Sequence, residues 1–267
     1  MVSRVAVVLA AFLITACAHM SSPPSASTVP QAVRAELAPT GVLRAGMNLQ
    51  NNLFTVKDSS GELQGLAVDV LQELGRRLGV PVKYVMYETP GKVADDAANN
   101  KWDATVLAIE PTRAATIAFS PPMTEIQATY LVPQGSRFTK VADLDSPGTR
   151  IAVNEKAGYD LYLTRVLKQA KLVRGRNTPD TFRIFNEQKL DAIAALRPQL
   201  IENHAKAPGT RLIEGSFMTV NHGVGIPQGR SAGAAWVREQ VEELVRSGFV
   251  ARSIGRHKVV GISALAG

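Results

Sequence analysis

Four motifs follow one another between Gly61 and Met123: GLAVD at residues 65–69, KWDA at 101–104, EPTR at 110–113 and FSPPM at 119–123. They predict a turn that leads into an amphipathic helix, then a buried strand, then a helical turn that begins at a proline and presents Arg113. Alternating strand and helix signals favour an α/β sheet. Ligands of open α/β sheets bind where the strands end, so this stretch predicts a small-molecule cleft.

The second half of the chain repeats this pattern. A strand is expected at 149–153, and the junction KLDAIA at 189–194 echoes KWDATV at 101–106. Two similar α/β lobes are the simplest explanation of this echo. The chain would cross between the lobes along extended segments at 128–134 and 218–228, which would form a two-strand hinge. A C-terminal helix would then return to the first lobe.

The order and spacing of these motifs resemble bacterial periplasmic solute-binding proteins, specifically the family that serves polar amino-acid ABC transporters. The sequence departs from the usual motifs at Ala67 and Glu110. The resemblance implies the two-lobed periplasmic-binding-protein fold (type II), in which two hinge strands join two α/β lobes. Lobe 1 would comprise residues 41–131 plus 222–267, and lobe 2 would comprise residues 132–221.

The resemblance also implies ligand-binding residues in lobe 1. The family's arginine that holds a ligand carboxylate corresponds to Arg113, since a guanidinium can donate two parallel hydrogen bonds to a carboxylate. From the residues alone, a surface ion pair with Glu110 is equally compatible with the sequence. Phe54 matches the family's aromatic wall, although it could also be a core residue. Ala108 replaces a serine or threonine, so only its backbone could bind.

In lobe 2, the resemblance points to the loop between the strand at 149–153 and the following helix. Its backbone amides receive the same carboxylate in relatives, and free amides at a helix N-terminus suit an anion. Gly158 would permit close approach of the backbone. Asn154 and Tyr159 are candidate side-chain contacts, and a plain connecting loop is the alternative.

The sequence departs most from amino-acid binders at Leu196. Relatives usually end this strand with an aspartate that neutralises the α-ammonium of the ligand, and leucine cannot do so. Arg197 follows and adds positive charge, either as a ligand contact or as a solvated side chain. Another acid, such as Glu155 or Glu110, would have to pair with the ammonium, or the ligand lacks one.

The N-terminus predicts export. Residues 1–16 resemble a signal peptide, because the apolar run after Arg4 is too short for a membrane helix. Cys17 ends a lipobox-like LITAC sequence and is the chain's one cysteine. We therefore expect lipid attachment at Cys17, with an ordinary secretory cleavage site as the alternative. Residues 17–40 would be a flexible tether, and alanine after the cysteine favours the outer membrane.

Composition excludes several other classes. The net charge of +7 and the pI of about 9.7 would permit nucleic-acid binding, but no aromatic-interleaved basic motif occurs, so none is predicted. The four histidines are far apart, and no nucleotide-binding or nucleophile-elbow motif is present. We predict neither metal nor cofactor, and we expect a monomer.

The sequence thus favours a periplasmic, lipid-anchored receptor that captures a small carboxylate-bearing solute, an amino acid or a related organic acid, and delivers it to an ABC permease. The first alternative is an enzyme, because cyclohexadienyl dehydratases share this fold and need a carboxylic acid such as Glu155, Asp160 or Glu110. The second alternative is a sensory lipoprotein without a transport role.

Overall fold

The computed structural model describes residues 29–266. The predicted signal peptide, the lipid attachment site at Cys17 and the first part of the tether lie outside the described residues. Within residues 29–266, no helix combines the length and the apolar character needed to cross a membrane.

Strands and helices alternate along most of the chain. The first lobe begins with α1 (Gln31–Leu37), β1 (Leu43–Asn48), β2 (Val56–Lys57), β3 (Leu63–Gln64), α2 (Leu66–Leu78), β4 (Val82–Tyr87), α3 (Pro90–Asp95), β5 (Ala104–Ala108) and β6 (Ile117–Phe119). The first crossing strand is β7 (Thr124–Pro133). The second lobe contains β8 (Arg150–Asn154), α4 (Gly158–Val166), β9 (Lys171–Gly175), α5 (Thr178–Glu187), β10 (Ala192–Leu196), α6 (Arg197–Lys206) and β11 (Thr210–Leu212). The return consists of β12 (Met218–Pro227), α7 (Ser231–Arg246), α8 (Phe249–Arg256) and β13 (Ser263–Ala264).

One sheet runs through both lobes in the order β4-β1-β5-β12-β7-β10-β8-β9. In the first lobe β4, β1 and β5 are parallel, and β12 pairs with β5 in the antiparallel direction. In the second lobe β9, β8 and β10 are parallel, and β7 pairs with β10 in the antiparallel direction. The long strands β7 and β12 pair with each other between the halves. The predicted two-lobed α/β fold is confirmed.

The sequence echo between the lobes has a structural cause. Asp103 precedes β5, and its carboxylate accepts a hydrogen bond of 3.0 Å from the backbone N–H of Arg44 in β1. Asp191 precedes β10, and its carboxylate accepts a bond of 2.8 Å from the backbone N–H of Arg150 in β8. Equivalent aspartates therefore connect β5 to β1 in the first lobe and β10 to β8 in the second.

The main helix of the first lobe, α2, follows the predicted apolar stripe. Val70, Leu71, Leu74 and Leu78 are all buried against the sheet. The helix ends at Gly79, whose positive φ of 73° suits the left-handed end of a helix. This packing fixes the N-terminal end of α2 next to the loop that carries Phe54.

The folded part begins earlier than the sequence indicated. Residues 31–37, which the sequence pattern assigned to the tether, form helix α1, whose Val33 and Leu37 are buried. The two residues are four positions apart and therefore share one face of the helix. The Glu36 carboxylate also accepts a hydrogen bond of 2.6 Å from the backbone N–H of Gly233 in α7. The first lobe thus includes α1 in addition to its predicted residues.

Gly65 holds the Phe54 loop against the start of α2. Its φ of 122° is a conformation that residues with a side chain rarely adopt. A Cβ at this position would collide with the carbonyl oxygen of Phe54 and lie 2.9 Å from its carbonyl carbon. That carbonyl already accepts a hydrogen bond of 3.0 Å from the Ala67 N–H, so the loop cannot move without losing this bond.

We predict that Gly65→Ala lowers the free energy of unfolding by about 3 kcal/mol, because backbone strain and a backbone collision add together. Gly61→Ala is the matched control, since Gly61 has a φ of 87° but no atom within 4 Å of the added Cβ. It should cost about 1 kcal/mol from strain alone. Urea unfolding of both variants provides the measurement, and equal losses would show that the contact with Phe54 is unimportant.

Candidate functional site

A cavity of about 50 Å³ lies between the two lobes. The last residues of four parallel strands line it: Asn48 of β1, Ala108 of β5, Asn154 of β8 and Leu196 of β10. Strand ends therefore meet at this cavity from both halves of the sheet, which is where open α/β sheets bind ligands.

Six of the seven residues predicted for ligand binding line this cavity: Phe54, Ala108, Arg113, Asn154, Gly158 and Tyr159. All six are buried. The first three come from the first lobe and the others from the second. The structure therefore brings the two predicted sets together across the cleft.

Arg113 occupies the centre of the interface between the lobes. Its Nη1 donates a hydrogen bond of 2.8 Å to the carbonyl oxygen of Ala108, in its own lobe. Its Nη2 donates a bond of 3.0 Å to the carbonyl oxygen of Lys156, in the other lobe. Its Nε is buried and has no hydrogen-bond partner among the described residues. Nε is thus the one guanidinium nitrogen of this cavity residue that makes no hydrogen bond within the described part of the chain.

Arg113 remains charged despite its burial. Burial lowers the pKa of its guanidinium to about 10, while the negative charges of Glu110 and Asp95 act in the opposite direction. A pKa near 10 still leaves the group protonated at neutral pH. A buried charge without a paired charge is costly, so this site favours an anion.

The ion pair between Arg113 and Glu110 that the sequence allowed does not form. Glu110 is buried, and its carboxylate instead pairs with Arg165 of the second lobe at 2.5 Å. Arg113 makes no salt bridge within the described part of the chain. Its charge is therefore available to a ligand.

The other candidate acids also lie outside the cavity. The Asp160 carboxylate accepts a hydrogen bond of 2.8 Å from the Lys156 N–H and pairs with Arg174 at 3.0 Å. Glu155 is exposed to solvent. Among the residues that line the cavity, the ionisable ones are Arg113, Tyr159 and His222. Burial raises the pKa of the Tyr159 hydroxyl, which therefore stays neutral.

Phe54 and His222 form one wall of the cavity. Their rings stack with centroids 4.3 Å apart and planes inclined by 29°. Burial, aided by the charge of Arg113, lowers the pKa of His222 to about 3, so the imidazole is neutral near pH 7. Its Nδ1 has no hydrogen-bond partner among residues 29–266. From the sequence, His222 near the second crossover is expected to be a structural residue, with exposure in the cleft as the alternative; the structure places it in the cavity lining.

The second-lobe side of the cavity is formed by the start of α4. Gly158 begins this helix, and a Cβ on it would lie 3.0 Å from the Ala108 Cβ of the first lobe. The first amides of a helix have no partner within the helix and can receive an anion. The Asn154 side chain already makes two hydrogen bonds, because it donates to Thr178 at 2.9 Å and accepts from Thr181 at 2.5 Å. Asn154 therefore shapes the site more than it offers polar atoms.

Arg197 is not brought to the cavity. It begins α6 directly after Leu196, but its side chain turns away and donates from Nε to the Gln127 side chain at 2.9 Å. It also donates to the carbonyl oxygen of Gly215. Leu196 faces the cavity in its place. The sequence correctly located the end of β10 at Leu196. The direction of the Arg197 side chain depends on its hydrogen bond with Gln127 of β7.

Several polar cavity residues were missed from the sequence: Asn48, Gln50, Asn51, Thr55, Gln199 and His222. A signal did exist for the first three. They lie at or directly after the end of β1, at the carboxyl end of a predicted parallel strand, where ligand-facing residues are expected. For His222 the signal was its position near the second crossover between the lobes, which allowed exposure in the cleft without indicating a ligand contact.

Contacts across the cleft hold the lobes close together. Besides the bond from Arg113 to Lys156, the Lys156 ammonium pairs with Asp95 at 2.7 Å. Both of these side chains are at least half exposed, so this pair contributes little by itself. Glu110 and Arg165 form the second charged contact between the lobes. The structure is therefore a closed form, with the cavity between the lobes.

We predict that His222 makes stability depend on pH. Its folded-state pKa of about 3 lies below the value of about 6.5 for an unfolded chain, so the unfolded state binds the proton first. Stability is therefore full above pH 6.5 and falls as the pH drops towards 3. Between pH 7 and pH 5, protonation of this histidine in the unfolded state should lower the free energy of unfolding by about 2 kcal/mol.

Urea unfolding at pH 7 and pH 5 measures this loss. His222→Phe keeps the stacked ring but should remove this part of the pH dependence, whereas His204→Phe, in α6 away from the cavity, should keep it. An unchanged pH dependence in His222→Phe would contradict the assignment.

Comparison with known proteins agrees with this architecture. A family profile described as bacterial extracellular solute-binding proteins, family 3, matches residues 43–257. The chain is 24% identical over 220 residues to a probable histidine-binding protein of Neisseria gonorrhoeae, covering 79% of this chain and 80% of that protein. It is 26% identical over 214 residues to a cyclohexadienyl dehydratase of Pseudomonas aeruginosa, covering 73% of this chain and 78% of that protein.

Among solved structures, a mutant of ArgBP from T. maritima matches with a TM-score of 0.70 and 24% identity, covering 84% of this chain and 98% of that chain. At this level of identity the likeness establishes the fold. Since the family profile spans most of the chain, the protein belongs to the bacterial extracellular solute-binding proteins of family 3.

Proposed function

We propose that this protein is a periplasmic receptor whose lobes close on a small carboxylate-bearing solute, an amino acid or a related organic acid, for delivery to an ABC permease. The observation that carries the proposal is the buried Arg113, whose Nε is left without a partner beside the interlobe cavity, among the residues that the structure describes. A carboxylate there would supply the missing acceptor and the missing negative charge together.

The lobe arrangement supports capture by closure. Arg113 already contacts both lobes, and the first residues of α4 line the same cavity. An anion bound between them would be held by a charge from one lobe and by helix amides from the other. Such a ligand binds the closed form better than an open one and shifts the population towards it.

The relatives' names agree with this proposal in part. The Neisseria gonorrhoeae relative is named for histidine binding and the T. maritima structure as ArgBP, which supports amino-acid-like solutes for this chain. The dehydratase relative keeps an enzyme as the second candidate. Against it, Glu110, Glu155 and Asp160 all lie outside the cavity, so none of them is available there as a general acid. A sensory lipoprotein would use the same site without a permease.

The first test is binding of carboxylates to Arg113 variants. A panel of amino acids, hydroxy acids and prephenate-like compounds is first screened by thermal shift, since a ligand of the folded state raises its melting temperature. For any hit, Arg113→Lys should weaken binding about 100-fold, because lysine keeps the charge but lacks the positioned Nε donor. Arg197→Lys is the matched control outside the cavity and should stay within about twofold of wild type.

Equal affinity in wild type and Arg113→Lys would remove Arg113 from the site and with it the proposal. Recovery of the bound compound unchanged supports a receptor. Its conversion to a product would instead favour the enzyme.

We further propose that Cys17 carries a lipid that anchors the receptor in the periplasm, with the outer membrane as the favoured location. The chemical basis is the thiol at the end of the LITAC sequence. Cys17→Ser should therefore move the protein from the membrane fraction to the soluble fraction, because about 0.8 kcal/mol of membrane affinity per buried CH₂ is lost with the acyl chains. Immunoblots of the two fractions give the answer, and unchanged membrane association would reject lipidation.

A further inference from the structure

A second residue that lines the cavity, besides Arg113, has a buried nitrogen without a hydrogen-bond partner in the part of the chain that the structure describes. This is His222 Nδ1, which belongs to a side chain that is 4% exposed and faces the same cavity. Buried polar atoms almost always have partners, so an orphan at a ligand cavity indicates an atom that the ligand contacts.

Arg113 and His222 are neighbours through Ala108. Arg113 donates to the carbonyl oxygen of Ala108, and His222 lies directly opposite Ala108 in the pairing of β12 with β5. The two unpartnered nitrogens therefore belong to adjacent parts of one site. A single small molecule that touches Arg113 would lie beside the imidazole of His222.

The charges around the cavity select against a ligand ammonium. The lining contains the cation of Arg113 and no carboxylate among the described residues. Glu110 and Asp160 are already paired with arginines elsewhere. An ammonium would therefore be buried near a guanidinium without a counter-charge, which is costly. A second carboxylate on the ligand would likewise find no second cation among the described lining residues.

The polar groups of the lining suit an oxygen atom instead. A neutral imidazole nitrogen accepts a hydrogen bond from a hydroxyl in one tautomer and donates one to a carbonyl in the other. A 2-hydroxy or 2-oxo acid carries such an oxygen next to its carboxylate, as His222 and Arg113 are both next to Ala108.

The cavity also limits the size of the ligand. Its volume of about 50 Å³ corresponds to roughly four water molecules. Phe54, Tyr159 and Leu196 close it with bulky side chains, and Gly158 approaches Ala108 too closely for an added Cβ to fit easily. The cavity in this closed form therefore favours a small solute.

We infer that the solute is a short-chain 2-hydroxy or 2-oxo monocarboxylate, whose carboxylate accepts from Arg113 Nε and whose oxygen at carbon 2 hydrogen-bonds with His222 Nδ1. This inference rests on the proposed receptor function and specifies the solute of that same site. His222 is then a residue that determines specificity, in place of the acid that amino-acid binding would require.

Four compounds with the same three-carbon skeleton provide the test: propionate, lactate in both enantiomers, pyruvate and L-alanine. Each is titrated calorimetrically into the full chain. Lactate or pyruvate should bind at least about tenfold more tightly than propionate, which lacks the second polar group, and than alanine, which replaces it with an ammonium.

A variant series then assigns the preference to His222. His222→Phe keeps a ring against Phe54 but removes Nδ1, so it should bring lactate and pyruvate to within about twofold of propionate. His204→Phe, in α6 outside the cavity, should keep the wild-type ranking. The ranking of the four compounds is measured on the wild-type protein. It therefore tests the inference even if the His222 variant fails to fold.

Two outcomes would overturn the inference alone: alanine or another amino acid that binds in an Arg113-dependent way and more tightly than lactate and pyruvate, or a lactate preference that survives in His222→Phe. The receptor proposal would stand in both cases. If no compound of this series and none of the wider panel of carboxylates and amino acids binds the wild-type chain, the proposed function fails together with the inference.

Discussion

The buried guanidinium of Arg113 is the constraint on which the rest of the site depends. Its charge is buried between two lobes, and each of its two terminal nitrogens donates a hydrogen bond to a carbonyl oxygen, one from each side of the cleft. Carbonyl dipoles reduce the cost of this burial but carry no net charge. The site therefore remains positive, and the diversion of Glu110 to Arg165 keeps it so.

The sheet explains how one arginine can serve both halves. The strand β12 pairs with β5 of the first lobe, and β7 pairs with β10 of the second. Because β7 and β12 also pair with each other, one sheet continues from one lobe into the other. The carboxyl ends of the parallel strands in each lobe consequently face a common cavity. Closure needs only a change of angle at the two long strands β7 and β12. The aspartate contacts between β5 and β1 and between β10 and β8 lie within single lobes and are kept.

The two-lobed fold and the position of Arg113 could be predicted from the sequence, because both are indicated by patterns within short segments. The apolar stripe of α2 and the repeated aspartate junctions indicated two α/β lobes, and the position of Arg113 after β5 indicated a ligand site. The failures depend on contacts between distant segments. Arg197 turns away because Gln127 and Gly215 accept its hydrogen bonds. The role of His222 depends on its stacking against Phe54, which no local pattern reveals. Helix α1 is folded because it packs on α7, near the other end of the chain.

The role of Arg113 can be decided by a crystal structure of the protein grown with a carboxylate that binds it, in which the distance from the ligand carboxylate to Arg113 Nε is measured. We expect a hydrogen bond of about 2.7 to 3.2 Å, with the ligand enclosed between the lobes. A carboxylate bound elsewhere, for example at Arg197, with Arg113 Nε still lacking a ligand partner, would contradict a site built on this arginine.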